Sequence, residues 1–171
     1  MNILRAFLDR IILVAAVVAA GCIPGFITQY QQRVSGMLAQ VLQDIAPFQE
    51  IANQFHEGSL QRLIRHHLDS SDQTFHSEGM AIQAMVGAAE RLGRMSEALN
   101  TDLFSQVKYL LTYMDAAIAR ATWEMYTPSF GLSVESILLS SGVGISVWLI
   151  FVLFWLILEH LIRFFISRRY S

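Results

Sequence analysis

SILLSSGVGISVWLIFVLFWLIL, residues 136–158, is a run of 23 residues without a charge, and 15 of them are Leu, Ile, Val or Phe. At a rise of about 1.5 Å per residue, a helix of this length covers an apolar layer of about 30 Å with some tilt. On an insertion scale those side chains contribute roughly −5 to −9 kcal/mol, which outweighs the opposing effect of Ser136, Ser140, Ser141, Gly142, Gly144 and Ser146. The stretch reads as a membrane-crossing helix, and the remainder of the chain is organised around it.

A second uncharged run, residues 11–27, holds 17 residues and carries Pro24-Gly25 near its end. Arg5 and Arg10 can extend their aliphatic stems to the headgroups, so the helix begins near Ile3 and reaches spanning length. The rival reading is a signal peptide cut before Cys22, because Ala19-Ala20-Gly21-Cys22 resembles a lipoprotein cleavage site. Ala19 stands where a larger aliphatic is usual, and Asp9 is atypical of such a leader, so an uncut first span is preferred. Arg5 and Arg10 before the first span, and Arg163, Arg168 and Arg169 after the second, place both termini in the cytoplasm. The intervening residues 28–131 hold seven Lys or Arg against eleven Asp or Glu, as suits the translocated side. Trp155 and Tyr170 towards one face, and Trp123 and Tyr126 towards the other, are interfacial anchors.

Composition agrees with this layout. A chain of 171 residues that is 54% apolar exceeds what one soluble domain of this size needs inside. The net charge of −2, without a basic stripe, argues against nucleic acid as a partner. The single cysteine excludes an internal disulfide framework and a CxxC site.

Between the spans the pattern is helical throughout. After Pro24-Gly25, the apolar positions Tyr30, Val34, Met37, Leu38, Val41, Ile45 and Phe48 predict a helix that leaves the membrane almost continuously. It is interrupted or kinked at Pro47 and ends before Gly58. A short helix follows from Ser59 as N-cap to Leu68, and Asp69-Ser70-Ser71-Asp72 forms a turn. Ala81, Met85, Ala88, Leu92, Met95 and Leu99 are spaced as a heptad stripe. Leu103, Val107, Leu110, Met114, Ala117 and Ala121 repeat it after a break at Asn100-Thr101-Asp102. These two stripes predict an antiparallel helical hairpin with coiled-coil-like packing.

Four histidines, His56, His66, His67 and His76, lie near Glu57, Asp69, Asp72 and Glu78, all metal-competent side chains. Their spacing does not favour a site. Leu60 stands where a zinc-protease helix needs its second histidine, and adjacent His66 and His67 diverge by about 100° on a helix. No nucleophile elbow or phosphate-binding glycine loop is present, and Cys22 falls in an apolar run where its thiolate is disfavoured. The middle of each span lacks an ionisable group of the kind ion pathways use. Glu135 at one end of the second span, and Glu159 paired with Arg163 at the other, are boundary residues. Small residues recur at four-residue spacing. Val17-Gly21-Gly25, Ala15-Ala19 and Ala16-Ala20 lie on the first span and Ser136-Ser140-Gly144 on the second, so Gly21, Gly25, Ser136, Ser140 and Gly144 are expected to mediate helix packing.

The residues Pro24-Gly25-Phe26-Ile27-Thr28-Gln29-Tyr30-Gln31-Gln32-Arg33, followed by Gly36, resemble a bacterial family of uncharacterised two-pass membrane proteins with a Pro-Glu-Phe-x-x-Gln-Tyr-x-Gln-Arg motif. Thr122, Tyr126, Pro128 and Leu132-Ser133-Val134-Glu135 look like that family's second signature. Gly25 replaces the family's Glu, and Ser133 its Thr. The resemblance implies an inner-membrane location and this architecture, and it implies no activity. Gln29, Tyr30, Gln32, Arg33 and Pro128 are therefore candidates for a partner or lipid interface. Gln29, Gln32 and Arg33 are placed to satisfy carbonyls freed near Pro24 or to bind lipid phosphate, with Tyr30 at the interface.

The sequence thus predicts an all-α membrane protein in four parts. Residues 1–27 form the N-terminal segment and first transmembrane helix, 28–131 a translocated, periplasmic helical domain, 132–158 the second transmembrane helix, and 159–171 a short basic cytoplasmic tail. The expected function is that of a non-enzymatic accessory, scaffold or interaction subunit of an envelope complex. No cofactor and no metal are expected, and the partners are the bilayer and either another membrane protein or a second copy of the chain. Two alternatives have their own signatures. A polar lumen lined by Ser136, Ser140 and Ser146 would mark a homo-oligomeric channel, and a pocket gathering His56, His66 or His67 with acids would mark a periplasmic-facing enzyme.

Overall fold

The computed structural model describes residues 2–169, with side chains described for residues 7–158 and for His160. The side chains of Arg5, Arg163, Arg168 and Arg169, the Glu159–Arg163 pair and Tyr170 lie outside the described residues. The described chain is all helical, without a strand. It divides into two compact units, residues 1–27 with 126–171, and residues 28–125.

In the first unit, α1 (Asn2–Gly21) and α7 (Val134–Arg169) pack side by side and antiparallel. Both carry long apolar stretches, and the structure has two helical segments long and apolar enough to cross a membrane, Phe7–Phe55 and Val134–Leu158. The chain turns slightly at Cys22 before α2 (Ile23–Phe55) begins. Pro24 has no N–H to offer the preceding turn, which is the physical reason the two helices separate here. Residues 126–133, between the units and α7, are not helical. They return to α1, where the Gly131 amide donates to the Gly21 carbonyl at 3.0 Å.

The second unit contains the remainder of α2, then α3 (Leu60–Leu68), α4 (Gln73–Leu99), α5 (Leu103–Tyr113) and α6 (Ala116–Glu124). Its core gathers Tyr30, Val34, Ile45 and Ala52 of α2 with Leu63, Ile64, Ile82, Leu92, Met95, Leu99, Leu103, Leu110 and Ile118. Each helix start is fixed by a side-chain cap: Ser59 accepts from the Arg62 amide, Asp72 from Thr74, Asp102 from Phe104 and Ser105, and Asp115 from Ala117 and Ile118. The Ser105 hydroxyl and amide hold the Asp102 carboxyl below its ordinary value. After α2 the chain reverses through Glu57 and Gly58, both at positive φ, and the Gly58 amide closes the helix end on the Ala52 carbonyl at 3.0 Å. Gly79 lets α4 approach α3: a Cβ there would lie 2.9 Å from His67 Cβ.

Three expectations are corrected. α2 continues through Pro47 without an interruption, and Pro47 and Gln43, whose carbonyl loses its donor, both lie on the exposed side. The stripe from Leu103 to Ala121 is cut in two at Met114, which is half exposed, because Asp115 caps a new helix. In the first half of α4 the buried positions are Gly79 and Ile82, and Ala81 is exposed. The compact unit that holds α3–α6 ends at Met125, and the Gly131 amide of the following segment bonds to α1.

Candidate partner and lipid interfaces

In the second unit the motif residues of α2 separate into two roles. Tyr30 is fully buried, so it presents nothing to a partner or to lipid, contrary to expectation. Its hydroxyl oxygen accepts the Asp115 amide at 3.1 Å. Burial pushes the hydroxyl above its ordinary pKa, with the Asp115 amide opposing. Asp115 in turn pairs with Arg91 of α4 at 2.9 Å and caps α6, so one residue ties three helices together. Arg33 lies one turn further along, half-buried, and its Nη2 donates to the Ala121 carbonyl at 2.9 Å and to Met125 Sδ at 3.4 Å. Gln29, Gln32, Arg33, Thr122 and Met125 line an open groove of about 530 Å3. Thr122 is buried and turns its hydroxyl back to the Ile118 carbonyl at 2.7 Å.

In the first unit, two carbonyls near Pro24 have donors from the non-helical segment that precedes α7. The Tyr126 hydroxyl donates to the Cys22 carbonyl at 2.6 Å, and the Gly131 amide to Gly21. Phe26 meets the Tyr126 ring edge-on at 5.7 Å. A Cβ on Gly25 would sit 2.3 Å from Ser129 Oγ and 2.9 Å from its carbonyl oxygen, so the absence of a side chain at this position and the close approach of Ser129 go together. Pro128 is exposed on the same non-helical segment.

The helix-packing candidates are consumed within the chain. A Cβ on Gly144 would lie 2.3 Å from Val17 Cγ2, and one on Gly21 would strike the Phe130 ring. Ser136 and Ser140 are buried, their hydroxyls bonded to Ser133 Oγ and the Ile137 carbonyl. Trp148 Nε1 donates to Asp9 Oδ1 at 2.6 Å, a polar tie between α1 and α7 that no local pattern announces. The alanines fare differently: Ala15, Ala16 and Ala19, with Ile12, Val143 and Val147, line an apolar surface groove of about 480 Å3.

A third groove, about 580 Å3, lies where α2 ends and α3 and α4 meet, and it brings together His56, His66, His67 and Glu78 with an apolar lining. The His56 and His66 rings lie 5.3 Å apart. His67 uses Nδ1 on the Leu63 carbonyl at 3.0 Å and faces Glu78 with Nε2 at 3.6 Å, while His76 turns to the Leu68 carbonyl. Among the described residues no group of three or more His, Cys, Asp or Glu is placed to hold a metal ion. The apolar contribution dominates: Phe55 is 73% exposed and Phe75 50%, beside Phe48, Ile51 and Leu63.

Set beside known families, residues 4–167 match the family model described as protein of unknown function (DUF2937). No curated protein and no solved structure matches the chain.

Proposed function

We propose that this chain, which belongs to the DUF2937 family, is an integral protein of the bacterial inner membrane that acts as a non-enzymatic accessory, scaffold or interaction subunit of an envelope complex. Its two apolar helices serve as spans with both termini in the cytoplasm, and residues 28–131 form the translocated domain. Only 17% of the most apolar window in the first candidate span, and 11% in the second, is buried within the chain. A helix at the core of a soluble protein is mostly buried, so these surfaces suit lipid or another membrane helix.

The observation that carries the interaction role is the aromatic groove at the junction of α2, α3 and α4. A water-facing domain of this size seldom leaves two phenylalanines and a neighbouring Ile51 open together unless a partner covers them. The alanine-lined groove of α1 and α7 adds a slot in which a further membrane helix can approach closely.

A second reading, a periplasmic-facing enzyme, draws on His56, His66, His67 and Glu78 in that same groove. It ranks below the interaction role because the groove holds no serine or cysteine nucleophile and His67 is committed to Leu63. Purification from native membranes in mild detergent, with mass spectrometry of the intact assembly, tests the assignment. A stoichiometric partner lost in Phe55→Ser and Phe75→Ser variants supports it. A bare monomer counts against it, a closed homo-oligomer promotes the channel reading, and a partner-free chain that turns over substrate through His56 and His66 promotes the enzyme.

A further inference from the structure

Arg33 is a motif residue whose charge is held in place without an ion pair among the described residues. Its Nη2 is pinned to the Ala121 carbonyl and Met125 Sδ, and no carboxylate of the described residues lies within ion-pair distance of it. The other cations of its neighbourhood differ: Arg91 is paired with Asp115 and Arg120 with Glu124. A half-buried guanidinium gives up part of its hydration, and its planar fork of donors is shaped for an oxyanion. The hydrogen bonds of Arg33 to the described residues use Nη2, and Gln29 and Gln32 line the same groove.

The surroundings narrow the anion. Arg33 falls six residues after Ile27, about 9 Å of helix rise beyond the proposed end of the span, which is headgroup depth. Met125, which lines the same groove, is 75% exposed, and Trp123, the residue after Thr122 on α6, is 68% exposed. A guanidinium with amides and a thioether in one groove, close in sequence to an exposed indole, matches a phosphate group attached to an apolar body.

We propose that the groove of Gln29, Gln32, Arg33, Thr122 and Met125 binds a phosphate group, supplied by the headgroup of an anionic phospholipid. The inference rests on the membrane reading above. The Arg33 fork takes two phosphate oxygens, Gln32 donates to a third, and Trp123 and Met125 lie against the glycerol and upper acyl region. One consequence is a fixed depth: the bound headgroup locks the start of the translocated domain at the membrane surface.

The full chain is reconstituted in bilayer discs of phosphatidylcholine with or without phosphatidylglycerol, and retained lipid is counted by native mass spectrometry. In parallel, inorganic phosphate is titrated against the detergent-solubilised protein while the Arg33 side-chain NMR signals are followed. Arg33→Gln is expected to lose about tenfold in apparent affinity for phosphatidylglycerol, the worth of one charge-assisted hydrogen-bonded contact. Because that variant also gives up the Ala121 contact, Gln32→Glu is the decisive companion: it leaves the Arg33 anchor intact, places a carboxylate in the groove and should abolish binding. Arg120→Gln should behave as wild type. Selective retention of phosphatidylglycerol confirms the lipid source; phosphate-shifted Arg33 signals with no lipid selectivity identify a free phosphate site instead. Equal retention of both lipids together with unmoved Arg33 signals overturns the proposal. Resistance of the chain to alkaline extraction from native membranes is scored separately, so that loss of the membrane reading is not mistaken for loss of the site.

Discussion

Replacing Tyr30 with phenylalanine removes a single oxygen from a fully buried side chain and leaves its ring volume in place. The Asp115 amide, which donates to that oxygen at 3.1 Å, is then left without its partner at the point where α6 begins. An unpaired buried donor costs about 1–3 kcal/mol, whereas the packing contribution of the ring is retained. The loss should be local, because Asp115 also anchors Arg91 and caps α6. Hydrogen exchange on the full chain in detergent is the assay, and protection of the α6 amides should fall by roughly 5- to 150-fold, the same energy read as an opening equilibrium. Amides in the middle of α4 serve as the internal reference. Alkaline pH supplies an independent check. Burial raises the Tyr30 pKa above its unfolded value, so its contribution to stability is complete below the ordinary tyrosine range and is lost as pH rises through the raised value. Tyr30→Phe should flatten that alkaline slope. Unchanged α6 protection together with an unchanged slope would refute the claim that Tyr30 holds α6 through Asp115.

Gly87 and Gly93 stand inside α4 with open space where a Cβ would go, so Gly87→Ala and Gly93→Ala should each stabilise the chain by about 0.5–1 kcal/mol in denaturant unfolding. Gly79→Ala should do the opposite, because its Cβ meets the backbone of α3 at 3.0 Å, and the same titration reads the sign. Trp148→Phe strips Asp9 of its donor and should destabilise the helix pair by about 1–3 kcal/mol. The double variant with Asp9→Leu should recover most of that loss, as a double-mutant cycle in detergent would reveal. For Asp102, whose carboxyl is held below its ordinary pKa by Ser105, capping of α5 is present above the unfolded value and is lost as pH falls through the lowered one. The amide shifts of Phe104 and Ser105 should therefore titrate at lower pH than they do in a Ser105→Ala variant, where the side-chain hydrogen bond is gone.

What the sequence disclosed was local. Ser59, Asp72 and Asp102 each stand immediately before a periodic apolar run, so three helix starts follow from side-chain chemistry that acts within three residues. Asp115 offers the same chemistry, yet the heptad spacing passes through Met114 and Ala117 without a flaw and conceals the cut. The hydroxyl that accepts the Asp115 amide, that of Tyr30, is 85 residues away. Ile82 replaced Ala81 at the core because two adjacent phases of a helical stripe differ by only about 100°, and the packing of α3 through Gly79 selects between them. The interface candidates fared likewise. Tyr30 is aromatic and follows the first apolar run, which fits an interfacial anchor as well as it fits a core residue. Arg33 and Gln32 are legible as polar groups just past that run, while the donors that reach Cys22 and Gly21 come from Tyr126 and Gly131, more than a hundred residues on.

The small residues of the two apolar helices illustrate how a spacing rule and a packing outcome part company. Four-residue repeats on one helix generate overlapping stripes, Ala15-Ala19, Ala16-Ala20 and Val17-Gly21-Gly25, all compatible with close approach. The chain fills one of them itself. Gly144 admits Val17, Gly21 admits Phe130, and Gly25 admits Ser129, each at a separation that a Cβ would forbid. Glycine is thus used where the chain closes on itself and the backbone must come nearest. The stripe left over is made of alanine, whose methyl groups keep the groove at about 480 Å3 and set a wider contact distance. A helix docking there would leave the α1–α7 pair intact. Enlarging Ala15 and Ala19 to leucine should therefore expel a partner without unfolding its host, whereas enlarging Gly144 should separate the two helices first. The order of those two effects, read by co-purification and by thermal unfolding of the same variants, distinguishes a subunit that is complete before it binds from one that needs its partner to fold.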